Sequence, residues 1–360
     1  MGGMQAGSIE KWTWIVPVVA WLVLIASFAV PGVVILSLAG ITLIGAVIAA
    51  VHHAEVVAHR IGEPFGTLVL AVAVTVIEVA LIVSVMLSGG ADKEALARDT
   101  VFAAIMICCN GIVGLCLLVG GIRHHEQGFQ LQGASSALAV LCAMSVLTMV
   151  LPNYATTVPG PGLSSSQLVF AGFISLLLYL VFVFIQTISH RDYFLASSAD
   201  ENEHASPPTN QVALTSLALL VVSLLAVVGL AKTLSPAVES AVGRIGAPAA
   251  VVGIIIAALV LLPEGLAAVR NARANRLQNS LNLALGSALA SIGLTIPTVA
   301  AVSLFMDKPI VLGLIDKEIV LLALTLIVGV ITLGTGRTTL LQGVIHLVIF
   351  AAFLFFAVVP

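Results

Sequence analysis

Two glutamates carry the chemistry this sequence offers. Glu78 stands near the middle of about twenty apolar residues that follow Gly62-Glu63-Pro64-Phe65-Gly66, and Glu264 stands alone in a second apolar run, Ala247 to Val269. An acidic residue at the centre of a membrane helix costs about 2.5–3.5 kcal/mol on insertion scales, so it is rarely there without a purpose. Burial favours the neutral form of a carboxyl group, and a second carboxylate close by favours it further. Protonated, such a pair is neutral; deprotonated, it carries two negative charges and calls for a cation. Calcium supplies two positive charges and takes about six to eight oxygen ligands. One pair can therefore hold protons or metal, and the two compete. The reading is that the chain brings Glu78 and Glu264 together inside a membrane.

Further oxygens are sought nearby. Thr75 lies three residues before Glu78, on the same helical face. Pro263 precedes Glu264, and a proline frees a carbonyl one turn back. Asn110, Ser287 and Ser291 on the spans that follow each glutamate complete the candidate set. Each of these small polar residues could equally bond back to its own helix.

The rest of the chain must be a membrane scaffold. Of 360 residues 60% are hydrophobic and only 9% charged, and the mean hydropathy is +1.18. A soluble domain has about 25% charged residues, so this composition specifies an all-α polytopic membrane protein. At about 20 residues per crossing we count eleven transmembrane helices: 12–30, 33–57, 66–88, 100–121, 133–151, 167–189, 211–233, 247–270, 280–305, 317–334 and 338–359. The first is read as retained, since no small-residue cleavage site follows it. The net charge of −3 gives no nucleic-acid signal, and no Gly-x-x-x-x-Gly-Lys-Ser/Thr motif for ATP is present. Cys108, Cys109, Cys116 and Cys142 fall in apolar segments without metal or disulfide spacing. No cofactor is expected.

One composition change divides the chain. Ser197 to His204 is acidic, with Pro207-Pro208 following, and residues 191–210 read as a solvated linker. Residues 1–32 form an extra first helix, 33–190 one set of five spans and 211–360 another. Five is odd, so the second set enters from the opposite side, as in inverted-repeat transporters. Glu78 and Glu264 each fall on the second span of a set. Eight Lys and Arg, among them Arg270, Arg273 and Arg276, fall on the side of the N-terminus against six on the other. The expectation is an inner-membrane protein with N-terminus and linker cytoplasmic and C-terminus outside.

The cluster His52, His53, His59 and Glu55 at the end of the second span could sense cytoplasmic pH, or be interfacial polar residues. It also supplies the ligands for a rival reading, an intramembrane metalloenzyme. Glu63 could draw cations to the cytoplasmic mouth or begin the next helix with Pro64. His124, His125 and His346 are read as structural, and Trp12, Trp14 and Trp21 as an interfacial belt.

Ala54-Glu55, Arg60, Gly62-Glu63, Gly66 and Glu78 resemble, without a gap, the first α-repeat of calcium/proton exchangers in the calcium:cation antiporter superfamily. Glu264, Asn275, Arg276, Gly286-Ser287 and Pro297 likewise resemble the second. That family writes Gly-Asn before each transport glutamate, where this chain has Val74-Thr75 and Val260-Leu261. Gly265 and Ala290 stand where it often has histidine and glutamine. Pro263-Glu264-Gly265 and Gly-Glu-Pro-Phe-Gly look more like the bacterial ChaA branch. The resemblance implies a secondary antiporter, not an enzyme, exchanging inorganic cations for protons with Glu78 and Glu264 as the metal-binding acids. Calcium is the first cation implied; sodium and potassium are the alternative. Ion preference, stoichiometry and any homo-oligomer are left open by the sequence.

Overall fold

The computed structural model describes residues 11–29, 32–62, 65–87, 94–158, 160–195, 208–244, 246–248, 250–307 and 309–359. Glu63 and the acidic residues 197–207 lie outside them.

The described residues form eleven long helices, at the places the hydropathy pattern predicts. They are α1 (Lys11–Ala29), α2 (Val33–Ile61), α3 (Phe65–Leu87), α4 (Leu96–His124), α5 (Leu131–Tyr154), α6 (Ser165–Ser189), α7 (Asn210–Arg244), α8 (Ala250–Arg273), α9 (Leu277–Met306), α10 (Asp316–Leu333) and α11 (Leu340–Val358). Among the described residues nine of these are long and apolar enough to cross a bilayer. Helix α10 opens on Asp316, Lys317 and Glu318, which place charge in its first turn.

Two features depart from the sequence reading. Glu126–Gly128 (β1) pairs antiparallel with Arg337–Thr339 (β2), a short ribbon among long helices. Three-residue strands carry too little periodicity to be read from sequence. Helix α7 runs 35 residues, through Pro236, past the expected end near residue 233. Its last turns continue as polar helix beyond the apolar stretch, because hydropathy marks where hydrocarbon ends, not where helix does.

The chain divides into two compact units, Met1–Val85 with Ser197–Arg244 and Met86–Ala196 with Ile245–Pro360. This cuts across the sequence division at the linker, since each unit takes helices from both halves.

In the first unit α2 packs against both α1 and α7. Small residues permit the close approach: Gly45 meets Val16, and Gly229 meets Leu24. The Trp21 indole N–H donates to the Val222 carbonyl at 3.1 Å, fixing α1 to α7. The His53 Nε2–H donates to the Thr13 carbonyl at 3.0 Å, fixing α1 to α2.

In the second unit α8 lies between α4 and α9, α6 packs on α9, and α11 packs on α4. Glycines again set the distances. A Cβ on Gly114 would stand 3.0 Å from His346 Cβ, and one on Gly121 2.7 Å from the Leu340 backbone nitrogen. At one end of this unit the strap 126–130 is tied to the α8–α9 turn. Gln127 Nε2 donates to the Ala272 carbonyl and to Asn275 Oδ1, both at 2.9 Å, and the Gln130 N–H donates to Gln278 Oε1 at 2.7 Å. Asn275 has φ +62, a left-handed conformation that asparagine tolerates better than most residues. At the other end the segment 309–315 is stapled down. Asn153 Nδ2 donates to the Leu314 carbonyl at 2.6 Å, Arg98 Nη1 to the Gly313 carbonyl at 3.1 Å, and the Val311 N–H to the Glu94 carbonyl at 3.0 Å.

Candidate functional site

The two glutamates occupy matching places on their helices. Glu78 has thirteen residues of α3 before it and nine after, and Glu264 has fourteen of α8 before it and nine after. At about 1.5 Å per residue both sit near half the helix length. Glu78 is 1% exposed and Glu264 5%. Thr75, one turn before Glu78, is buried as well. Glu78 belongs to the first unit and Glu264 to the second.

On α8 the local sequence prepares the setting of Glu264. Pro263 lies inside the helix and has no N–H to give the carbonyl of Leu259, so an acceptor is released one turn before the carboxylate. Gly265 faces α4, where a Cβ would meet Ile112 at an ordinary contact distance of 3.4 Å. Three turns earlier Gly253 allows a closer approach, since a Cβ there would stand 3.1 Å from the Thr100 backbone nitrogen. On the other side Ser280 Oγ donates to the Ala268 carbonyl at 2.7 Å and ties α9 to α8.

Helix α9 carries a hydroxyl stripe. Ser287 and Ser291, both predicted, are half-buried and buried. Thr295 continues them at the same four-residue spacing and is fully buried, with no hydrogen-bond partner for its hydroxyl among the described residues. Sequence reasoning passed it over, although spacing from Ser291 was signal enough. The stripe offers three hydroxyl oxygens along one face of the helix that follows Glu264.

Asn110 is placed differently from expectation. It sits in a π-helical turn, Ile107–Ile112, where the Val113 N–H reaches back to the Cys108 carbonyl. Its side chain turns to α10 and α11: Nδ2 donates to Thr325 Oγ1 at 2.9 Å, and Oδ1 lies 3.0 Å from His346 Nδ1. Ile112, two residues on and hence on the opposite side of α4, lies against Gly265 of α8. Both amide groups of Asn110 are thus engaged away from the helix that bears Glu264.

Within the histidine cluster the His52 and His53 rings meet edge to face, with centroids 5.7 Å apart. His53 is buried with its ring on the Thr13 carbonyl, and His52 lies against Trp12 with ring centroids 5.3 Å apart. His59 and Glu55 are exposed. Among the described residues no three His, Cys, Asp or Glu side chains form a metal-binding group. The metalloenzyme reading therefore has no geometric support there. His124, read as structural, donates Nε2–H to the Arg273 carbonyl at 3.0 Å.

A charged group at the far end of the second unit was not anticipated. Arg98 Nη2 lies 2.7 Å from Asp99 Oδ1, and both side chains are about nine-tenths buried. Glu318 is 8% exposed and caps its own helix by accepting from the Ile315 N–H at 3.2 Å.

Comparison with known proteins shows the family of the chain. The family model described as sodium/calcium exchanger protein matches residues 11–188 and 215–359. A Sinorhizobium fredii protein named as an ionic transporter is 51% identical over 99% of this chain and 98% of its own length. The sodium-potassium/proton antiporter ChaA of Escherichia coli is 34% identical over 94% of each. In fold, the crystal structure of an H+/Ca2+ exchanger, CAX, superposes with a TM-score of 0.73 at 16% identity, over 96% of this chain and 89% of that one. The chain belongs to the sodium/calcium exchanger protein family and is a multi-pass membrane transporter.

Proposed function

We propose that this protein is a secondary active antiporter of the inner membrane that exports a cation, calcium foremost, in exchange for incoming protons. The observation that carries the reading is that each of α3 and α8 holds one deeply buried glutamate near the middle of its own length. Two carboxylic acids that release two protons become two carboxylates, which balance one Ca2+ without leaving net charge in the apolar bundle. Reversing the step returns the protons and expels the metal. Thr75, Ser287 and Ser291, with the carbonyl that Pro263 leaves free, are the neutral oxygens offered beside those acids. The N-terminus and the acidic linker are cytoplasmic and the C-terminus outside, which puts Arg270, Arg273 and Arg276 on the cytoplasmic side.

The inverted-repeat reading pairs α4 with α9 and α6 with α11. The packing within the second unit supports it, since α11 lies on α4 as α6 lies on α9.

A second reading takes sodium or potassium as the cation. It draws on the 34% identity to the Escherichia coli antiporter and on the missing Gly-Asn amides, whose loss removes neutral ligands that a calcium ion would use. Everted membrane vesicles with an acidified lumen separate the two. Calcium at the lowest effective concentration should alkalinise the lumen, the result expected from the first reading. A response to sodium or potassium alone would replace it with the second, and no response to any of the three would reject both.

A further inference from the structure

The α4–α11 contact contains a buried polar chain that proton/cation competition at the glutamates leaves unused. It can be followed donor by donor. Thr325 Oγ1–H donates to the Leu321 carbonyl at 2.7 Å, so the Thr325 oxygen is free to accept from Asn110 Nδ2 at 2.9 Å. That fixes the amide with Oδ1 toward His346, 3.0 Å from Nδ1. An amide oxygen only accepts, so Nδ1 carries the ring proton. The neutral ring then offers Nε2 as acceptor to the Thr332 hydroxyl at 3.1 Å. His346 is 1% exposed and Asn110 fully buried. With the Thr325 hydroxyl on the shorter Leu321 contact rather than on Met106 Sδ at 3.4 Å, the remaining links run one way and the amide and the ring take one arrangement.

This chain grips the one place where α4 is irregular. Asn110 lies within the π-turn Ile107–Ile112. A π-turn holds one residue more than an α-turn, is rare, and collects at functional sites. Gly114 adds to the grip, since its missing Cβ lets α11 approach at His346 and Leu347. On the opposite side of the same turn Ile112 supports Gly265, the neighbour of Glu264. Relaxing the turn to α-helix would rotate the residues beyond it by about 100° and remove Ile112 from that contact.

We infer that His346 is a positioning residue for the transport carboxylate: through Asn110 it locks the π-turn of α4, and the turn sets the surface on which α8 holds Glu264. The inference rests on the exchange reading, and it makes His346 more than the structural residue its sequence context suggests.

Two measurements test it on the full-length protein. In His346→Ala, hydrogen exchange of the amides at 107–116 should quicken by about tenfold. The half-saturating calcium concentration should rise by about tenfold, while the maximal rate stays within about threefold of wild type. His346→Asn, whose side-chain N–H can take the place of Nδ1–H, should recover both. A role confined to folding would lower the yield and leave the half-saturation of the surviving protein unchanged. Wild-type exchange at 107–116 with wild-type half-saturation in His346→Ala would overturn the inference. Should that variant not accumulate, Thr332→Val, which removes only the Nε2 partner, must move both values in the same direction, and unchanged values overturn it equally. If wild-type protein itself moves no protons on adding calcium, the exchange reading fails, while the hydrogen-exchange arm still judges the lock.

Discussion

Replacing a buried glutamate by glutamine keeps its shape and removes its charge and its titration, which makes it the sharpest probe at the scale of single residues. Glu78→Gln and Glu264→Gln should each abolish calcium-driven proton movement, with folded protein still present in the membrane at wild-type amount. The amount should hold because the neutral amide avoids the cost of an uncompensated buried charge. Near-normal flux from either variant, measured with the lumenal pH dye, would reject the proton/metal competition. The same scale shows what a side chain's surroundings add to its type. Asn110 and Ser291 look alike as ligand candidates in sequence, yet Asn110 is turned to Thr325 and His346. Thr295 continues the stripe of Ser287 and Ser291 and is fully buried. Glu55 and Arg60 match a family motif and lie at the surface.

Helices in an apolar solvent gain nothing from hiding apolar surface from one another, so their association depends on close packing and small residues. The α4–α11 interface is built this way. Gly343 lies against the backbone of Leu118 and the carbonyl of Gly114, where an added Cβ would overlap backbone atoms. Gly343→Val should therefore part the two helices, at a cost of about 1–3 kcal/mol. The purified protein should unfold several degrees lower and show faster hydrogen exchange at 107–116; an unchanged melting temperature would show that α11 can shift without loss. Pro263 acts at the same scale through the backbone, by withholding one helical hydrogen bond beside Glu264. The π-turn of α4 is the converse case. Nothing in Ile107-Cys108-Cys109-Asn110-Gly111-Ile112 announces a wide turn, because its cause lies in side chains of α10 and α11 more than 200 residues away.

At the scale of the whole molecule, deleting residues 197–207 and joining the ends with a short Gly-Ser linker should spare proton/cation exchange. Acidic residues without an apolar anchor contribute no buried surface. A folded deletion variant with no flux in the vesicle assay would assign the linker a part in transport. Eleven helices, their order and the place of each glutamate along its own helix were legible in the sequence. Hydrocarbon demands runs of about twenty apolar residues whatever the neighbours are, and a lone carboxylate stands out in such a run. The division into units was not legible, since α2 and α7 join across the linker through contacts that no local pattern encodes. Nor was the ribbon of β1 and β2, which pairs residues 126–128 with 337–339. Sequence by itself determined the membrane class, the helices and the two acids, because insertion into lipid is decided segment by segment. Only the tertiary structure decided which polar side chains face which. Direction around a helix axis is set by the partner it packs on, and partners are chosen by the fold as a whole.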